Sequence, residues 1–115
     1  MSLSVSVVPV TPYQQNCSVI KCNETGLAAV VDPGGDIDLI QAAIEKMDAK
    51  VEKILLTHGH MDHCAAADVL RKQWGVPIEG PEEADRFWID NLPKWCEMSG
   101  FPTAEAFEPD RWLLD

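Results

Sequence analysis

Between Val51 and Trp74 an apolar run ending in Ile54-Leu55-Leu56 leads directly into Thr57-His58-Gly59-His60-Met61-Asp62-His63-Cys64, and then into an alanine-rich stretch with helical character. The continuous apolar segment predicts a strand, Val51 to Thr57, buried on both faces within a sheet that other layers cover. Asp62 to Trp74 is expected to form one helix, with Gly75 in the left-handed conformation that ends it. A polar cluster fixed between a buried strand and a helix restricts the chain to an α/β layered architecture.

The flanking segments agree with that architecture. Val5 to Val10 predicts a first strand, in which Pro9 marks an edge or an end because it cannot donate to a ladder. Thr11 to Asn16 reads as a loop. Cys17 to Cys22 and Leu27 to Asp32 read as two further strands joined by Asn23-Glu24-Thr25-Gly26, giving an antiparallel hairpin or meander. Pro33-Gly34-Gly35 breaks the third strand, and Asp36 is placed to cap a following helix. That helix should turn Leu39, Ile40, Ala43, Ile44 and Met47 to one face. Val76 to Glu79 is a short strand, and Gly80-Pro81-Glu82-Glu83 a helix start whose apolar side carries Phe87, Trp88 and Leu92. Beyond Pro93 the anchors Trp95, Met98, Phe101, Phe107 and Trp112 show no clean period. Packing is the expected role of the tryptophans.

With 115 residues there is enough chain for one compact domain. The net charge of −10 argues against nucleic acid and anionic membranes as partners, since both reward clustered Lys and Arg. No run has the length of a transmembrane helix, and Met1 to Val5 has no signal-like pattern, so the expected compartment is the cytoplasm. Cys17, Cys22, Cys64 and Cys96 form no Cys-x-x-Cys pair and read as small apolar side chains rather than a disulfide framework.

All three histidines of the chain lie between His58 and His63. His58 and His60, two apart at a strand end, can offer two imidazole nitrogens to one cation. Asp62 and His63 can offer an oxygen and a nitrogen to a neighbouring one. Such mixed donors suit zinc, with iron or manganese as alternatives. Two metals sharing a water support hydrolysis. Surface histidines in a polar loop are the plain alternative, and it fits His-x-His-x-Asp-His at a strand mouth less well than it fits a lone histidine.

The segment Leu55 to His63 resembles the metal-binding signature of the metallo-β-lactamase superfamily of hydrolases. Gln15-Asn16-Cys17-Ser18, Val31-Asp32-Pro33-Gly34-Gly35, Gly80-Pro81-Glu82 and Pro109-Asp110-Arg111-Trp112-Leu113 are similar, in the same order, to short bacterial type II glyoxalases, the YcbL-like hydroxyacylglutathione hydrolases. The resemblance implies the amino-terminal half of an αββα sandwich and hydrolysis of 2-hydroxyacylglutathione thioesters. It assigns His58 and His60 to a first metal and Asp62 and His63 to a second, with a metal-bound hydroxide rather than a side chain as nucleophile. Asp32 would stand behind these ligands, although its residues read equally well as a turn aspartate before Pro33. Lactone, other thioester or phosphodiester hydrolysis is the alternative within the superfamily.

The family completes its site with a His, a bridging Asp and a last His, and no histidine follows His63. Residues 1–115 are therefore expected to be a partial domain whose second half lies elsewhere, with an apolar sheet face left uncovered and prone to self-association. The alternatives are a short protein completed by a partner or symmetry mate, and a non-catalytic assembly module.

Overall fold

The computed structural model of the chain describes residues 3–10, 15–57, 59, 61–99, 104 and 106–113, and the side chains of residues 15, 61, 62, 99 and 113 lie outside that description. Strands β1 (Leu3–Val10), β2 (Gln15–Cys22), β3 (Leu27–Val31), β4 (Lys50–Leu55), β5 (Ile78–Glu82) and β6 (Arg111–Leu113) form one sheet in sequence order. β1, β2 and β3 pair antiparallel as the expected meander, with Pro9 on the edge strand. Gly26 at φ 78° supplies the turn between β2 and β3, a conformation that costs glycine little. β3 through β6 pair in parallel. Parallel pairs need crossovers, and the helices provide them: α1 (Ile37–Met47), then α2 (Met61–Cys64) with α3 (Ala67–Trp74), then α4 (Arg86–Asp90) and α5 (Leu92–Ser99).

The core lies on one face of the sheet. Val10, Cys17, Val19, Ala28, Val30, Ile54 and Ile78 are buried there with Ile40 and Ile44 of α1 and Ala67 and Leu70 of α3. On the opposite face Leu3, Val5 and Val7 are 58%, 59% and 54% exposed. The register Val5↔Ile20, Ile20↔Ala29 and Val31↔Leu55 places half-buried Ile20, Ala29, Val31 and Leu55 on the same side, because side chains alternate along each strand. Leu55 thus corrects the expected two-sided burial of Ile54-Leu55-Leu56: helices cover one face only among the described residues.

Other boundaries differ for local reasons. The helix expected from Asp62 to Trp74 is two helices, because the Ala66 N–H leaves the helical ladder and donates to the Pro33 carbonyl at 3.1 Å. Gly75 ends α3 as expected, at φ 66°. Asp36 occupies the N-cap position of α1 but has left-handed backbone and makes no side-chain cap bond. Leu39 is 52% exposed, since α1 turns on Ile40 and Ile44. The strand expected to end at Glu79 continues to Glu82, where β6 pairs with it, and Gly80 at φ 91° absorbs the register shift. The following helix, α4, therefore starts later, after a 3-10 turn at Glu83–Asp85, and buries Ile89 while Phe87 is 58% exposed; Leu92, also buried, opens α5. Asp110 secures β6: its Oδ2 accepts the Ile78 N–H at 2.7 Å and Arg71 Nη1 at 3.3 Å. None of the four cysteines is in a disulfide. Among the described residues no helix is long and apolar enough to cross a membrane.

Candidate metal centre

The carboxyl ends of β3 and β4 meet the start of α2, and Asp32 joins them. Its backbone is left-handed, at φ 55°, a conformation that Asp tolerates better than most residues. Its N–H donates to the Leu55 carbonyl at 2.9 Å. Reversing direction there drives the carboxylate inward, where the residue is 5% exposed. Oδ1 accepts the Thr57 N–H at 2.8 Å, and Oδ2 accepts the Thr57 hydroxyl at 2.5 Å. Oδ2 also lies 3.1 Å from Nδ1 of His63. The aspartate thus fixes the residue that precedes His58 and the last histidine of the cluster together.

Where the carboxylate accepts, His63 Nδ1 is the donor, and a neutral imidazole then has Nε2 as its acceptor nitrogen. A histidine oriented in this way from behind by a carboxylate is suited to bind a cation through its other nitrogen. The negative charge of Asp32 is felt by Cys17: burial first, and then Asp32, push its thiol from 9.0 up to about 12. The donor chemistry at His63 therefore fits a divalent metal.

Gly59 sits between His58 and His60 and is buried. A Cβ there would stand 2.8 Å from the Asp85 carbonyl oxygen and 3.1 Å from Ile89 Cγ1, so close approach excludes a side chain. His58, His60 and the side chain of Asp62 fall outside the described residues, and only His63 of the expected ligands is placed. Among the described residues no group of three or more His, Cys, Asp or Glu side chains could hold a metal. Asp32, which the resemblance set behind the ligands, touches His63. Thr57 and Asp85 had no role in the sequence reading. Thr57 directly precedes His58, which was the signal available for it, whereas Asp85 had none.

Residues 10–115 match the family model of the metallo-beta-lactamase superfamily. The chain belongs to the metallo-β-lactamase superfamily. Within it, the chain is 43% identical over 111 residues to a hydroxyacylglutathione hydrolase, GloC, of Haemophilus influenzae, which covers 96% of this chain and 52% of that protein. Among solved structures, the B3 metallo-β-lactamase BLEG-1 superposes with a TM-score of 0.81 at 27% identity, over 97% of this chain and 54% of the other. TTHA1623 in a di-iron-bound form superposes with a TM-score of 0.82 at 23% identity over 95% and 54%, a likeness of fold alone. The chain spans about half the length of each of these proteins.

Proposed function

We propose that this chain is the metal-bearing half of an enzyme that hydrolyses S-2-hydroxyacylglutathione thioesters such as S-lactoylglutathione. The observation that carries the reading is the 3.1 Å contact between the Asp32 carboxylate and Nδ1 of His63, within a chain 43% identical to a hydroxyacylglutathione hydrolase. His58 and His60 are assigned to one ion, and Asp62 and His63 to its neighbour. Divalent ions there, zinc by donor type with iron or manganese as alternatives, supply an acidified water and a Lewis acid for the thioester carbonyl.

The chain's own residues supply order. Asp32 keeps the proton on Nδ1 of His63, and its two bonds to Thr57 tie the start of the His58–His60 loop to the end of β3. The apolar face with Leu3, Val5, Val7 and Ile20 is assigned to the second sheet of the sandwich, which the length of the relatives leaves room for. Left uncovered, that face favours self-association of the chain alone. The expected setting is the cytoplasm, with a small thioester as partner and neither nucleic acid nor membrane, in keeping with a charge of −10.

In the natural polypeptide that contains this chain, His58→Ala or Asp62→Ala is expected to lower S-lactoylglutathione hydrolysis by at least about 100-fold. Unchanged turnover refutes the assignment. Hydrolysis of a lactone or a phosphodiester in place of the thioester assigns another activity of the superfamily. A chain that takes up no stoichiometric zinc and forms a defined oligomer is an assembly module instead.

A further inference from the structure

We infer that Asp85 is a positioning residue for the loop that carries the first pair of metal ligands, an inference that rests on the metal reading of His58 and His60. Asp85 stands at the N-cap of α4, where an aspartate ordinarily accepts an N–H from its own helix. Here it makes no cap bond. Its Oδ2 instead accepts the Gly59 N–H at 3.0 Å, 26 residues away in sequence.

That bond is one half of a clamp. The Gly59 N–H belongs to the peptide joining it to His58, and the Gly59 carbonyl to the peptide joining it to His60. The carbonyl accepts the Cys64 thiol at 3.3 Å. Each of the two planar peptides that flank Gly59 is therefore held at one polar atom. The loop is also seated by contact, because the Asp85 carbonyl and Ile89 fill the space a Gly59 side chain would need. Asp85 ends the 3-10 turn that runs into α4, and its carboxylate is directed away from that helix at the glycine between the two histidines.

Asp85→Ser separates the two roles. Serine is a good N-cap and supports α4, but its side chain is too short to reach Gly59. The natural polypeptide containing this chain, titrated with cobalt(II) alone, is expected to lose about 10–100-fold in affinity in Asp85→Ser, with a changed d–d absorption spectrum. Amide hydrogen exchange at Gly59 should accelerate in the same variant. Asp85→Asn, which keeps an oxygen acceptor in place, should restore the spectrum and most of the affinity. Wild-type cobalt affinity and spectrum in Asp85→Ser overturn the inference. His58→Ala measured in parallel tests the reading beneath it: if cobalt binding survives that change undiminished, the metal assignment fails, whatever Asp85 does.

Discussion

Asp32 uses two oxygens to hold three donors, and its left-handed backbone suits few residues. Asp32→Ala would remove this acceptor from the Thr57 N–H, the Thr57 hydroxyl and His63 Nδ1 in a part-buried site where exposed Thr57 can turn to water. An unpaired buried group costs about 1–3 kcal/mol, and with water able to replace the acceptor at Thr57 the expected total is about 1–3 kcal/mol. Asp32→Asn keeps an oxygen and should cost about half as much. Urea denaturation measures both, and a loss below about 0.5 kcal/mol in Asp32→Ala would show that these bonds carry no weight. Cys17 gives a pH signature. Below pH 9.0 its thiol is protonated whether the chain is folded or not, and between 9.0 and about 12 the unfolded thiol releases a proton that the folded one keeps. The unfolded state then binds fewer protons, so stability falls as pH rises through that window. Denaturation of Cys17→Ala across the same pH range should show a shallower fall than the wild type.

Helices α1 and α3 show how element faces are chosen. The stripe of α1 is visible in the sequence, yet Leu39, expected on its inner face, is half exposed, while Leu70 of α3 is fully buried. The stripe on α1 is wide enough for two rotations about the helix axis, and docking on β1 and β2 selects the one that buries Ile40 and Ile44. Leu70→Ala is expected to cost about 2–5 kcal/mol, and Leu39→Ala less than about 1 kcal/mol. Equal costs in denaturant unfolding would contradict the observed rotation. The break between α2 and α3 has the same kind of origin. Alanines favour a continuous helix, but the Pro33 carbonyl lies within reach of the Ala66 N–H and takes it out of the ladder.

The sheet joins an antiparallel meander to a parallel run, with helices packed on one face and an apolar face left open. A metallo-β-lactamase sandwich places a second sheet there, and the exposed Leu3, Val5 and Val7 of the edge strand mark its margin. The isolated 115-residue chain should therefore sediment above the monomer mass at micromolar concentration. Val5→Lys should move it toward the monomer, since an edge-strand lysine opposes pairing and desolvation alike. An unchanged sedimentation profile would place the association elsewhere.

The meander, the turn at Gly26, the end of α3 at Gly75 and the strand–loop–helix around the histidines could all be read from the chain, because periodicity and backbone chemistry act over a few residues. The link from Asp32 to Thr57 and His63, the diversion of Asp85 to Gly59, and the tie from Asp110 to Ile78 could not. Each joins groups 25 to 32 positions apart. An aspartate in a turn looks the same in sequence whether it caps its own helix or reaches another strand. Only the packing of the sheet decides which N–H stands in front of it.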